Sequence, residues 1–250
     1  MQVAVISDVH GNLPALEAVL AELDATGPFD EIVMAGDFAS GGPFPAECIE
    51  RIRERGYRAV RGNTEEFLVE MATGGARPAH AVEAHQRHGP ALLAIDRWVV
   101  DRLSPEQIEY LASLPLQVDV PDTRGEALAV VHATPWSTHP EIHQDAPLEL
   151  ARQVVDAAGT LVLAYGHIHV QYQRRLNGGW IAAVGSVGLP VDGDQRAAYA
   201  VVSSAVDGWS IEFRRVAYDV EQAIDATLRS GVPNAEGFAG TLRSARLAGR

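Results

Sequence analysis

The sequence predicts an α/β fold in which parallel strand–helix units come first and antiparallel hairpins follow. Three observations carry this. Short apolar runs at 3–6 and 32–35 and a strand-like run at 57–60 each end in a polar, glycine-bearing turn. Segments with helical spacing follow the first two runs. After residue 180, strand-like runs crowd together with only short connections, which favours hairpins.

The elements follow in order. Residues 3–6 (VAVI) are apolar at every position, as expected of a strand buried on both faces. Leu13, Leu16, Val19, Leu20 and Leu23 then mark one face of a helix over 13–24. Residues 32–35 repeat the strand, and a helix is expected near 45–55. Residues 57–60 form a third strand, ending at Gly62-Asn63. Residues 65–115 read as mainly helical, with breaks near Gly74-Gly75, Gly89-Pro90 and Ser104-Pro105. They form an insertion beside the sheet. Ser104 and Gln107 have capping-box spacing, with Pro105 at the first helical position. Strands are expected at 127–131, 161–165, 180–184, 197–203 and 210–216. Helices are expected at 148–158 and near 219–230, and Asp207-Gly208 marks a hairpin turn. The end, 236–250, is rich in Gly, Ala and Arg and reads as loose. No linker or repeat divides the chain, so residues 1–250 are expected to form a single domain.

Composition narrows the function. Hydrophobic residues make up 47% of 250, enough for a large core and too many for a mainly disordered chain. With 20 Lys+Arg against 33 Asp+Glu, the net charge of -13 opposes a broad nucleic-acid surface, which needs many cationic phosphate contacts. A small anionic substrate stays possible where a metal creates a local positive field. Cys48 is the one cysteine, so neither an internal disulfide nor a cysteine-based zinc site is expected. No signal peptide is expected from 1–8, and no apolar stretch is long enough to span a bilayer. A soluble cytoplasmic protein is the expectation. The sequence does not set an oligomeric state.

Seven residues carry the chemistry: Asp8, His10, Asp37, Asn63, His132, His167 and His169. All can ligate a divalent metal through oxygen or imidazole nitrogen, and all lie just past apolar strand-like runs. Ligands in open α/β sheets gather beyond the C-terminal strand ends. Singly, each has an ordinary explanation. Gly36-Asp37 is common turn chemistry, Asn63 suits a helix cap, and His132 suits a satisfied buried histidine. Jointly, ligand-type residues at five successive strand ends are poorly explained by independent structural roles. The physical proposal is a two-metal site with Asp37 as the bridge, since one carboxylate offers two oxygens.

The ordered motifs Asp8-Val9-His10, Gly36-Asp37, Gly62-Asn63-Thr64-Glu65, His132 and Gly166-His167-Ile168-His169 resemble those of the calcineurin-like metallophosphoesterases. The likeness spans about residues 1–205 and is nearest the small bacterial and archaeal phosphodiesterase branch. The later run Val184-Gly185-Ser186-Val187-Gly188-Leu189-Pro190, with Asp192-Gly193-Asp194 after it, resembles a segment bordering the site in that branch. The resemblance implies a four-layer α/β/β/α sandwich with two mixed β-sheets flanked by helices. It implies that Asp8, His10 and His169 bind one metal, that Asn63, His132 and His167 bind a second, and that Asp37 bridges them. It implies hydrolysis of a small phosphate ester, most readily a diester, by in-line attack of a hydroxide held between the metals. Asp37, Asn63, His132 and His167 would carry that chemistry. Manganese is the expected assay metal, and iron, zinc, nickel or cobalt also suit the donors. The alternatives within the superfamily are a protein phosphatase, a dinucleoside polyphosphate hydrolase, and a non-catalytic metal-dependent scaffold for a protein partner.

Thr64 departs from the family pattern, because many members carry there a histidine that protonates the leaving group. A threonine hydroxyl donates a hydrogen bond but is a poor acid. His139 and His143 are replacements to consider, with loop decoration as the plainer role. Glu65 is expected to serve the helix N-terminus or to support the ligands from outside, rather than to bind metal itself. Arg61 offers a phosphate contact or a surface ion pair. Phe44 and Trp136 offer stacking on a base or lid packing. Solvent exposure is expected for His80, His85 and His88, and a core position for Cys48.

Overall fold

The computed structural model describes residues 1–74, 90–176, 178–206 and 208–247. His80, His85, His88, Asp207 and the middle of the helical insertion lie outside the described residues. The first sheet runs β10 (Gly208–Val216), β9 (Ala197–Ala205), β1 (Gln2–Ile6), β2 (Glu31–Met34), β3 (Arg58–Ala59) in spatial order. Strands β1, β2 and β3 are parallel, while β9 and β10 run antiparallel to their neighbours. The second sheet runs β4 (Gln117–Pro121), β5 (Ala127–Val131), β6 (Val162–Tyr165), β8 (Gly179–Val184), β7 (Gln171–Leu176). Here β5, β6 and β8 are parallel, and β4 and β7 form antiparallel edges.

Alternation along β1 explains the unbroken apolar run at its start. Val3 and Val5 face the second sheet, packing with Val130, Val162 and Ala182. Ala4 and Ile6 face the helices instead, packing with Leu16, Leu20 and Ile49. The helices on that side are α1 (Leu13–Thr26), α2 (Pro45–Arg55), α3 (Asn63–Thr73), α4 (Pro90–Val100) and α5 (Pro105–Ser113). On the far side α6 (Leu148–Ala158) lays Val154 and Val155 against Val131 and Leu163. Helix, sheet, sheet and helix thus make the four-layer α/β/β/α sandwich. Helices α7 (Val220–Ser230) and α8 (Ala235–Ser244) pair through Ile224, Phe238 and Leu242.

Local chemistry sets the helix ends. The Asn12 side chain accepts from the Ala15 N–H, and Pro14 sits in the first turn of α1. Ser104 and Gln107 cap each other reciprocally, at 3.1 and 3.2 Å. Helix α2 stops at Gly56 with φ 64°, a backbone state that glycine enters without steric cost.

Three expectations are corrected. The segment 236–250 is not loose as a whole, because α8 is helical to Ser244 and buries Phe238, Ala239 and Leu242. Strands β4 and β7 lie where none was expected. The third strand is only the two residues Arg58–Ala59. Among the described residues no helix is long and apolar enough to cross a membrane.

Candidate metal centre

Six parallel strands, three per sheet, deliver their C-terminal ends to one place. After β1 come Asp8 and His10, after β2 Asp37, after β3 Asn63, after β5 His132, and after β6 His167 and His169. The two sheets meet directly there, where the His167 N–H donates to Asp8 Oδ2 at 2.9 Å. A Cβ on Gly166 would collide with Ser7 Oγ, so only glycine allows this approach.

The backbone is strained at these positions. Asp8, His10, Asp37, His167 and His169 have φ of 56°, 50°, 58°, 67° and 57°. Among the described residues only Asn234 and Ala245 join them as non-glycine residues with positive φ. Such states cost on the order of 1–3 kcal/mol each and persist where surrounding structure enforces them. The strain turns each side chain off its strand axis and toward the others.

Hydrogen bonds then fix which ring nitrogen faces inward. His10, His132 and His169 each place Nδ1 2.7 Å from a backbone carbonyl, those of Ser40, Ala35 and Leu189. His167 places Nε2 3.0 Å from the His139 carbonyl. A carbonyl can only accept, so each ring donates there, and a neutral ring presents a lone pair on its other nitrogen. The lone pairs meet one another. His10 Nε2 and His169 Nε2 are 3.1 Å apart. His132 Nε2 and Asn63 Oδ1 are 2.9 Å apart. Asp37 lies between these pairs, with Oδ2 3.6 Å from His10 Nε2 and Oδ1 3.5 Å from His132 Nε2. Asp8 Oδ1 is buried and accepts no hydrogen bond, although His169 Nε2 is 3.3 Å away.

Acceptors facing acceptors in a buried place need a positive charge among them. Two tight groups could hold a divalent cation: Asp8 with His10 and His169, and Asp8 with Asp37 and His132, the donors of each within 4.8 Å of one another. Asn63 adds its amide oxygen beside His132. His167 belongs to neither tight group, and its ring centroid lies 5.0 Å from that of His132.

The titration behaviour reflects the same crowding. Burial would raise Asp8, yet the imidazoles of His169, His132 and His10 outweigh it and hold the carboxyl below the usual range. Burial likewise opposes ionisation of Asp37, and His132 and His10 again prevail. Burial and the neighbouring His169 press His10 down, and burial with His132 presses His167 down to about 4. Burial would depress His132 and His169 as well, but Asp37 beside the first and Asp8 beside the second raise them.

Around this set, Glu65 is fully buried. Its carboxylate accepts from the N–H groups of Asp37, Phe38 and Gly62 at 2.7–2.8 Å, so it serves the turn and the helix start as expected. Burial and the charge of Asp37 push it up to about 7. Thr64 donates both its N–H and its hydroxyl to Asp37 Oδ1, at 3.0 and 2.9 Å. His139 contributes its carbonyl to His167 and its ring to Glu66, at 3.3 Å. His143 pairs with Glu141. Arg61 stands 3.8 Å from Glu66. Phe44 packs against the helix-side core, Trp136 is 46% exposed, and Cys48 is buried with its thiol pushed up by burial.

Comparison with known proteins places the chain in a family. Residues 1–206 match the calcineurin-like phosphoesterase superfamily domain, and the chain belongs to that superfamily. It is similar to a metallophosphoesterase of Sphaerobacter thermophilus, with a TM-score of 0.76, 28% identity, and coverage of 98% of this chain and 100% of the other. It is 27% identical over 178 residues to a symmetrical bis(5'-nucleosyl)-tetraphosphatase of Acidovorax ebreus, covering 69% of this chain and 59% of that protein. It is 37% identical over 81 residues to phosphodiesterase YfcE of Escherichia coli K12, covering 28% of this chain and 44% of that protein.

Proposed function

We propose that this chain is a dinuclear metal-dependent phosphoesterase acting on small phosphodiesters. The facing acceptors carry the reading: His10 Nε2 and His169 Nε2 at 3.1 Å, and His132 Nε2 and Asn63 Oδ1 at 2.9 Å, flank the two oxygens of Asp37. In this reading Asp8, His10 and His169 hold one ion, Asn63, His132 and His167 hold the other, and Asp37 bridges them. His167 takes part through Nδ1, because its Nε2 is committed to the His139 carbonyl. Two divalent cations there would acidify a water and neutralise charge on the phosphoryl group.

The chain's own residues do the rest. Asn63 stands first in α3 and is half-buried, so its amide and the helix N-terminus both favour a phosphoryl oxygen. The four carbonyl clamps hold the imidazoles in one tautomer and one orientation. Thr64 spends its hydroxyl on Asp37, so it supplies no proton to a leaving group, and good leaving groups such as aryloxides are favoured.

Similarity to the phosphodiesterase YfcE of Escherichia coli supports a diester substrate. The Acidovorax relative favours a second reading, a dinucleoside polyphosphate hydrolase. Manganese is the assay metal of choice, with iron, zinc, nickel and cobalt also suited to the donors. The test is turnover by metal-stripped protein, with and without Mn2+, of bis-aryl phosphates, aryl monophosphates, dinucleoside tetraphosphates and phosphopeptides. Manganese-dependent hydrolysis with diesters fastest is expected. Faster cleavage of dinucleoside tetraphosphates selects the second reading. No hydrolysis of any ester by protein that binds two ions rejects catalysis and leaves a metal-dependent scaffold.

A further inference from the structure

We propose that Ser186 is a positioning residue that couples two ligands of a single ion, that of Asp8, His10 and His169. The proposal rests on the dinuclear reading above. Ser186 lies just past β8, the sixth strand end at the centre, and is fully buried. Its hydroxyl donates to the Asp8 carbonyl at 2.7 Å and accepts from the Leu189 N–H at 2.8 Å. The Leu189 carbonyl in turn accepts from His169 Nδ1 at 2.7 Å. One hydroxyl therefore joins the backbone of Asp8 to the residue that aims the His169 ring.

The geometry gives this link something to do. Asp8 follows a strand of the first sheet and His169 a strand of the second, so no shared ladder sets their distance. Both have positive φ, a state that needs outside restraint. The loop is pressed close: Val187 and Gly188 donate their N–H groups to the carbonyls of Ser7 and Asp8, each at 2.9 Å. The Asn12 amide holds the Gly188 carbonyl at 2.8 Å. Within this lacing, Ser186 is the side chain that donates to one ligand's backbone and accepts from the backbone that clamps another. A hydroxyl can do both at once. The other half of the centre is held differently. The carbonyls that clamp His132 and His167 belong to Ala35 and His139, and the Ser186 hydroxyl touches neither.

The assignment predicts a one-sided defect. Cobalt binding is followed by its visible absorption in wild-type protein, in Ser186→Ala, and in Ser186→Ala combined with Asn63→Ala or with His169→Ala. Loss of a partner that orients a ligand typically weakens metal binding about 10–100-fold. Ser186→Ala is expected to weaken one of two equivalents by about that factor and to leave the other unchanged. The same loss is expected on the Asn63→Ala background, and no further loss on the His169→Ala background. Ser186→Cys, with a weaker donor and acceptor at the same place, should show a smaller loss of the same one-sided kind. Metal-free Ser186→Ala should still fold cooperatively, melting a few degrees below metal-free wild type because the Leu189 N–H loses its buried acceptor. Equal losses on both backgrounds, or unchanged affinities in both Ser186 variants, overturn the proposal while the dinuclear reading stands. Wild-type protein that binds fewer than two equivalents overturns that reading and this proposal with it.

Discussion

At their N-terminal ends the parallel strands begin from plain surface connections. Asp30 accepts from the Gln2 N–H beside β1, and Thr160 bonds the Val162 carbonyl before β6. The turn before β8 holds Gly178, with φ 87°, where an added Cβ would meet no neighbouring atom, although Gly179 beside it is tight against the Leu161 carbonyl. At their C-terminal ends the same strands lead into Asp8, His10, Asp37, His167 and His169, all with positive φ despite carrying side chains. Glycine would sit there at less cost. The contrast shows that positive-φ residues with side chains gather at the end of the sandwich where donors aim at a point.

The largest effect that sharpens this contrast is expected from Asp37→Ala, which removes the carboxylate shared by both acceptor pairs. Activity should fall by more than about 10³-fold, roughly 4 kcal/mol in the barrier. Circular dichroism should show the fold intact. A comparably active variant would break the comparison. Next, Leu128→Ala, buried between the sheets near the N-terminal end of β5, should cost about 2–5 kcal/mol in urea unfolding. It should leave metal stoichiometry and kcat/KM of the folded fraction unchanged.

A paired glycine test follows. In Gly62→Ala the new Cβ would collide with Asp37 Oδ1 and lie 2.6 Å from Asp37 N, so the ligand loop must move. A loss of about 10²-fold in activity is expected, about 2.7 kcal/mol. Gly56→Ala, at the end of α2, meets nothing within 4 Å but keeps φ 64°. It should lower stability by about 1 kcal/mol with no change in turnover. Among the variants at the centre the smallest effect is expected from Thr64→Val, which removes one hydrogen bond to Asp37 worth about 1 kcal/mol. A drop of about 5-fold in kcat/KM is expected, with Thr64→Ser close to wild type.

The parallel strands were legible because burial on both faces forces continuous apolar runs such as VAVI, and polar motifs then stand out against them. The edge strands were not. Gln117–Pro121 alternates buried Val118 and Val120 with exposed positions and ends in proline, and Gln171–Leu176 carries Gln173, Arg174 and Arg175 on a sheet edge. Neither stood out as a strand, because an edge strand needs few apolar residues. Helix α8 hid behind its glycines and alanines, although Phe238 and Leu242 stand four apart on one face. At the centre the donor side chains could be read, since only a few residue types ligate metals. The carbonyls of Ala35, Ser40, His139 and Leu189 could not, because every residue has one. Ser186 left a faint mark in its place between glycines just past an apolar strand. The fate of the Thr64 hydroxyl was set by a turn no pattern encodes.

The candidate ligands are divided between two sheets that share no strand-to-strand ladder, Asp8, His10, Asp37 and Asn63 on one and His132, His167 and His169 on the other. Ions held by both sets, as proposed, would act as rivets through the midline of the sandwich. Each sheet then borrows the durability of its neighbour. Amide protons of β1 and β6 should exchange with solvent at a common rate when the rivets are in, and at separate, faster rates once they are drawn out.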